Sequence, residues 1–138
     1  MKKIYSKISP NNLLHIISRM DDVVDERLNI SPEEEFIQLA VLKMNKGKTF
    51  KPHKHIWKPG EEEVIAQESW VVIRGSVEAI LYDLDDSVID KIVLSAGDCS
   101  LTFQGGHNYV FLEDDTVVYE YKTGPYRGQE NDKVFIDG

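Results

Sequence analysis

The feature that most constrains the fold is a regular succession of short apolar segments in the second half of the chain, each bounded by turn-forming residues. Such spacing is typical of the strands of an all-β sandwich or barrel. The predicted strands are Glu63–Ala66, Ser69–Arg74, Val77–Tyr82, Val88–Leu94, Cys99–Phe103, Asn108–Leu112 and Val117–Tyr121. No helical pattern separates them, so the sequence favours an antiparallel barrel or jelly roll over a parallel βαβ architecture.

Two further segments precede these strands. The stretch FIQLAVLKM, which begins at Phe36, is apolar at both odd and even positions and predicts a strand buried on both faces. Earlier, Ser9-Pro10 is a typical helix start, and helical spacing of apolar residues predicts one short amphipathic helix. Those apolar residues are Leu13, Ile16, Ile17, Met20 and Val24.

The chain length is that of one domain. We expect a single domain over its 138 residues, with a helical extension at 1–35, a barrel at 36–123 and a tail at 124–138. No signal peptide and no apolar run of membrane-spanning length is visible in the sequence, and these observations predict a cytoplasmic protein.

The charge of the chain narrows the range of partners. Sixteen basic and twenty-four acidic residues give a formal net charge of -8, which repels phosphate backbones and anionic lipid headgroups. Nucleic acid and membrane surfaces are therefore not expected partners. A local exception is a set of lysines on the predicted barrel rim, where a small anion can be attracted. These are Lys46, Lys48, Lys51 and Lys54.

Cys99 is the only cysteine, so an intramolecular disulfide and a thiolate cluster are both excluded. Because it lies in a predicted strand, we expect Cys99 to be a small buried apolar residue and not a reactive thiol. Any metal must then be held by histidine and carboxylate side chains.

Four such side chains stand at positions where they can converge. His53 and His55 are two residues apart, a spacing that places both imidazoles on one face of an extended segment. Glu68 begins a predicted strand and shares a face with Trp70. His107 follows the Gly105-Gly106 pair at the start of another strand, so we expect all four side chains at one barrel mouth.

Three imidazoles and one carboxylate form a mixed nitrogen and oxygen ligand set. Such a set suits one divalent first-row ion, namely Fe, Mn, Ni, Co or Zn. An octahedral ion keeps two positions open for water, oxygen or substrate, which is the requirement for metal-assisted chemistry.

The same residues carry a resemblance to the cupin superfamily. Its first motif is similar to Gly47-KTFKP-His53-Lys54-His55 and Glu68-SWVVIR-Gly75, with a longer gap at 56–67 that we interpret as an inserted loop. Its second motif is similar to Gly97-DCSLT-Phe103-Gln104-Gly105, with His107 one residue early. The resemblance implies a jelly-roll barrel, a bound metal and a homodimer.

The end of the chain adds a more particular resemblance. The segment Glu120-Tyr121-Lys122-Thr123-Gly124-Pro125-Tyr126, followed by Asp132-Lys133, is similar to the tail of small cupins of the WbuC type. That group is associated with lipopolysaccharide and other surface-sugar biosynthesis. The resemblance implies a small-molecule ligand of the sugar class.

Three functions remain open from the sequence. The first is a metal-dependent enzyme, such as an isomerase or epimerase, acting on a small oxygenated substrate, with Glu68 or Tyr109 as candidate base. The second is a non-catalytic module that binds a sugar or an anion. The third is a metal-free nucleotide-sugar isomerase of cupin fold that uses His53 or His55 as acid and base.

Overall fold

The computed structural model of the protein describes residues 1–57, 65–124 and 128–137. Nearly all of its regular structure is β, and the strands pair antiparallel in two five-stranded sheets and one hairpin, which confirms the predicted all-β class. In chain order the elements are β1 Lys2–Tyr5, β2 Leu13–Ile17, β3 Arg27–Asn29, β4 Ile37–Met44, β5 His53–His55, β6 Glu68–Arg74, β7 Ser76–Tyr82, β8 Val88–Ser95, β9 Cys99–Thr102, β10 Gly106–Phe111, β11 Thr116–Thr123, α1 Gln129–Asp132 and β12 Lys133–Phe135.

Two five-stranded sheets enclose the core. Sheet I has the strand order β3-β4-β11-β6-β9, and sheet II has the order β12-β5-β10-β7-β8. Strands that follow one another in sequence often lie in different sheets, as β6 and β7 do, so the chain crosses repeatedly between them. The C-terminal tail returns to the barrel through β12, which pairs with β5.

The barrel interior changes character along the strands. Toward one end, the inward side chains of both sheets form an apolar cluster that includes Leu42, Val72, Val77 and Phe111. Toward the other end the inward positions are polar, because Lys122, Glu68 and Thr102 are cross-strand neighbours in sheet I. Cross-strand neighbours point to the same face, so this row lies inside the barrel.

Strand β4 is buried on both faces, as its sequence predicted. Ala40 and Leu42 point into the central core, whereas Val41 points outward and is fully buried against Val23 and Val117. The outer face of sheet I is therefore covered by the N-terminal segment.

The predicted N-terminal helix is wrong. Leu13–Ile17 is a strand that pairs with β1, and only a single 3₁₀ turn, Met20–Asp22, interrupts the extended chain before β3. Ser9-Pro10 begins a turn in which the Asn12 amide donates to the Ser9 carbonyl at 2.9 Å. A Ser-Pro pair suits the first two positions of such a turn as well as a helix start, which explains the error.

Cys99 also differs from its prediction. It lies at the start of β9, as expected, but its side chain is exposed because Cys99 pairs with Val71 on the outer face of sheet I, at the edge of the sheet. The first two residues of the predicted strand Glu63–Ala66 and most of the inserted loop expected at 56–67 lie outside the described residues. Within the described ranges no helix has the length and hydrophobicity of a membrane span.

Gly75 turns the chain from sheet I into sheet II. Its φ angle is +80°, and a Cβ atom there would overlap the Thr116 side chain and approach its Cα at 3.0 Å. Gly47 has a similar φ of +88°, but a Cβ atom there would meet no other atom within 4 Å. Substitutions at these two glycines can therefore distinguish the cost of backbone strain from the cost of steric overlap.

We expect Gly75→Ala to lower the free energy of unfolding by about 2–5 kcal/mol, the sum of left-handed backbone strain and overpacking. Gly47→Ala, the matched control, should lose only the strain, about 1–2 kcal/mol. Urea unfolding of both variants measures the difference, and equal losses would contradict the overlap with Thr116.

Candidate metal centre

The two strands β5 and β10 bring three histidines together. His53 and His107 are direct cross-strand partners, and His55 shares the face of His53 because it lies two residues further along β5. Their imidazole rings meet edge to face, with centroids 4.9 Å apart for His53 and His107. All three rings point between the sheets.

Glu68 reaches the same point from the opposite sheet. It begins β6 in sheet I, and its carboxylate is buried, with 4% of the residue exposed. One carboxylate oxygen lies 2.7 Å from His55 Nε2, and the other lies 3.6 Å from His107 Nε2. The histidines therefore come from one sheet and the carboxylate from the other.

The four side chains form a compact donor set. Each offers one ligand atom, and all four atoms lie within 4.8 Å of one another. Ligands of a first-row divalent ion lie about 2.0–2.2 Å from it, so donors on opposite sides are about 4 Å apart. The observed spacing is close to that requirement, and the set can therefore hold a metal ion.

The orientation of the rings fits the same role. Each Nδ1 atom faces an oxygen: Lys51 O at 3.4 Å from His53, Asp132 Oδ2 at 3.1 Å from His55 and Thr102 Oγ1 at 3.0 Å from His107. The His55 contact is an ion-pair distance and is not aligned as a hydrogen bond. Partners at Nδ1 hold the ring and leave Nε2 available to an ion.

A second carboxylate lies next to the donor set. The Trp70 indole N–H donates to Glu68 Oε1 at 2.9 Å and to Glu120 Oε2 at 3.1 Å. The other oxygen of Glu120 accepts from Arg27 Nη2 at 2.7 Å. Because Arg27 pairs with Leu42 across β3 and β4, its side chain enters the interior from the N-terminal segment.

The charges of the site are strongly coupled. Burial would lower the pKa of His55, but contacts with Asp132 and Glu68 raise it to about 9. Burial opposes ionisation of Glu68, yet the neighbouring His107 and His55 hold the pKa of Glu68 below its usual value. Burial lowers the pKa of His53 to about 3 and also lowers the pKa of His107.

Glu120 shows the opposite shift from Glu68. Burial raises the pKa of the Glu120 carboxyl, the negative charge of Glu68 adds to the effect, and Arg27 opposes it. Burial likewise raises the pKa of the Tyr109 phenol, whose hydroxyl lies 2.7 Å from Ser100 Oγ. Tyr109 stacks on Trp70 with ring centroids 3.8 Å apart, so it forms a wall of the site.

The donor set opens into a cavity of about 400 Å³. Its wall includes His53 and Glu68 of the donor set together with Trp70, Tyr109 and Glu120. Charged side chains also contribute, namely Arg27, Glu33, Lys51, Lys122 and Lys133. A cavity of this size is at the small end of the range for small-molecule sites.

The structure brings together all four side chains that the sequence singled out as ligands, and it places Tyr109 in the wall of the same cavity. Sequence reasoning missed Glu120, Arg27, Asp132 and Thr102. The inward position of Glu120 could have been predicted from the sequence, because Glu120 is two residues from Val118 and therefore shares its inward face. Asp132 and Arg27 reach the site only through strand pairings that are distant in sequence.

Solved structures show which fold this arrangement belongs to. KdgF from Halomonas sp. matches with a TM-score of 0.57 and 22% identity over 73% of this chain and 80% of that chain. An uncharacterized conserved protein with a double-stranded β-helix domain from Klebsiella pneumoniae subsp. pneumoniae matches with a TM-score of 0.62 and 17% identity over 91% of this chain and 100% of that chain.

The capsular polysaccharide assembling protein CapF from Staphylococcus aureus is also similar, with a TM-score of 0.66 and 18% identity over 84% of this chain. This chain spans 33% of CapF. No protein-family model and no curated protein matches the sequence. The similar structures have the cupin, or double-stranded β-helix, fold, and the likeness shows that this chain has it too.

The raised pKa of His55 predicts a pH-dependent stability of the metal-free protein. A pKa of about 9 in the folded state, against an ordinary value of 6.5, gives stability that is fully present below pH 6.5. That contribution is lost as the pH rises from 6.5 through about 9, so the free energy of unfolding should fall across this interval in EDTA.

Asp132→Asn should lower the pKa of His55, because the negative charge beside Nδ1 is removed. The titration of labelled histidine by NMR measures the pKa directly. Asp137→Asn, an exposed aspartate in the same tail, is the control and should leave the titration unchanged. A His55 that titrates at or below pH 6.5 in the unmodified protein would contradict the ion-pair assignment.

Proposed function

We propose that this cupin-fold protein is a metal-dependent enzyme that acts on a small oxygenated substrate. His53, His55, Glu68 and His107 would hold one divalent transition metal. The observation that carries the proposal is the convergence of their four ligand atoms within 4.8 Å, beside a cavity large enough for a small molecule. A bound ion would supply Lewis-acid polarisation of a substrate carbonyl or hydroxyl.

The residues around the donor set orient its histidines, form a wall for the substrate and exclude water. Asp132 and Thr102 orient the imidazoles of His55 and His107. Trp70 and Tyr109 form a flat aromatic wall, which suits the apolar face of a sugar ring. Because these side chains are buried, they also exclude water from the inner end of the cavity.

Glu120 is the best-placed group for proton transfer. Its carboxyl lines the cavity, whereas Glu68 is committed to the donor set. A raised pKa lets a carboxyl exchange a proton closer to neutral pH, which general acid–base catalysis requires. Arg27 fixes one oxygen of Glu120 and Trp70 fixes the other, so the group is held in position. An isomerase or epimerase needs this combination of a polarised substrate and a nearby base.

The sugar class of the substrate has separate support. The WbuC-type tail resemblance and the similarity to the capsular polysaccharide assembling protein both favour a role with surface sugars. The homodimer and the cytoplasmic location stay predictions. An exposed edge strand, β8, gives the dimer one available surface, since Val88, Ile89 and Val93 are each at least half exposed there.

Metal content tests the ligand assignment. Protein grown with ample transition metals should contain about one equivalent per chain by elemental analysis. We expect His53→Ala and His107→Ala to lose at least about tenfold in metal affinity, because each removes one of four donors. His15→Ala removes an exposed histidine of β2 and should keep the metal. An unchanged metal affinity in both cavity variants would contradict the assignment.

Proton transfer can be tested before the substrate is known. Metal-loaded protein incubated with a panel of aldoses, ketoses and sugar acids in D₂O should exchange a carbon-bound hydrogen for deuterium in at least one of them, as measured by NMR. Glu120→Gln should slow the exchange by about a hundredfold or more and retain the metal. Glu78→Gln, on the outward face of β7, should have no effect.

The same experiments separate the alternatives left open by the sequence. Binding of a panel member without deuterium exchange or product would favour a non-catalytic module. Exchange that persists after complete removal of metal would favour the metal-free isomerase and contradict this proposal.

A further inference from the structure

Cations are concentrated around the cavity of a chain that carries a formal net charge of -8. Four of its wall residues are cationic: Arg27, Lys51, Lys122 and Lys133. Two of them are neutralised by buried acids, because Arg27 pairs with Glu120 at 2.7 Å and Lys122 lies 3.2 Å from Asp132. Lys51 and Lys133 are different, since neither has an ion pair with any residue that the structure describes.

Lys133 lies beside the donor set. It is the cross-strand partner of His55, so its side chain leaves β12 on the same, inward face as the histidines. It is half-buried and lines the cavity. A partly desolvated ammonium without a close counter-charge is costly, and a ligand that supplies a negative charge removes the cost.

Lys51 and Phe135 complete the same wall. Phe135 is the partner of His53 across β12 and β5, and its ring lies at the cavity. The Lys51 ammonium lies 5.0 Å from the centre of this ring, and the Lys133 ammonium lies 5.9 Å from it. Both ammonium groups therefore contact the same aromatic ring in the cavity wall.

The carboxylates in the wall do not satisfy these two lysines. Glu68 belongs to the donor set, Glu120 is paired with Arg27, and Glu33 is exposed between β3 and β4. When a divalent ion is held by the donor set, its charge adds to that of the lysines, and the β12 side of the cavity becomes more positive. A neutral ligand would leave that charge uncompensated.

We propose that the substrate is an anion, whose carboxylate or phosphate group lies between Lys133 and Lys51 at the Phe135 wall. This inference rests on the proposed function and names its substrate class. The remaining oxygens of the substrate then point across the cavity toward the donor set and Glu120. The lysines select the charged molecule, and the aromatic wall of Trp70 and Tyr109 contacts its carbon skeleton.

Matched pairs of acid and neutral sugar test the inference. The probes are D-glucuronate, glucose 6-phosphate and D-glucose, which share a ring and differ in charge. Dissociation constants are measured by calorimetry on protein of known metal content, at low and at raised salt. We expect at least one of the two anions to bind about tenfold or more tightly than glucose and to weaken as salt is added. The more tightly bound anion identifies carboxylate or phosphate.

Substitutions at Lys133 locate the contact. Lys133→Met keeps the length of the side chain without the charge and should weaken binding of the preferred anion by about tenfold or more, whereas Lys133→Arg should restore most of it. Metal content should be retained in both, which distinguishes a lost ligand contact from a damaged donor set. Lys91→Met, on the exposed edge strand β8, is the control and should bind as the unmodified protein does.

The outcomes separate this inference from the proposed function. Glucose binding as tightly as both anions, no binding of either anion, or an unchanged affinity in Lys133→Met would each overturn the anionic substrate, whatever the metal content. Anion binding that depends on Lys133 in a protein without metal or turnover would uphold the anion site while the proposed function fails.

Discussion

The contacts of the buried Glu68 carboxylate hold together the polar end of the barrel interior. Glu68 belongs to sheet I and faces three imidazoles of sheet II, so it joins the two sheets at the polar end of the barrel interior. One of its oxygens contacts His55, and the other accepts a hydrogen bond from the Trp70 indole. A carboxylate removed from water is tolerated only when its partners are fixed, and here each partner is itself held by a neighbouring strand.

The pairing register of β6 and β11 arranges the barrel interior in layers. Successive inward positions of β6 carry Glu68, Trp70 and Val72, and their partners on β11 are Lys122, Glu120 and Val118. The environment therefore changes from ionic to aromatic to aliphatic over two steps of a strand. A shift of register by one residue would place every one of these side chains on the outer face. The register that buries the apolar residues therefore also brings the polar residues of the site into the interior.

The sequence predicted the features that obey a local period. His53 and His55 share a face because strands alternate, and Glu68 and His107 were identifiable because each begins a strand at a turn. The contributions of Asp132 and Arg27 could not be predicted in this way, since they depend on the pairing of β12 with β5 and of β3 with β4. The helix expected around Leu13 to Val24 failed for a related reason. Its apolar spacing suits a helix, but Ile16 on a strand and Met20 in a 3₁₀ turn pack instead on the outer face of sheet I.

The layered interior also affects how a molecule enters and leaves the cavity. Fully buried side chains such as Phe111 and Val77 fill the aliphatic end of the interior, whereas Arg27, Lys51 and Lys133 line the cavity. An anionic substrate of the kind we propose would meet these cations both as it binds and as it leaves, so the charges that favour binding would also slow release.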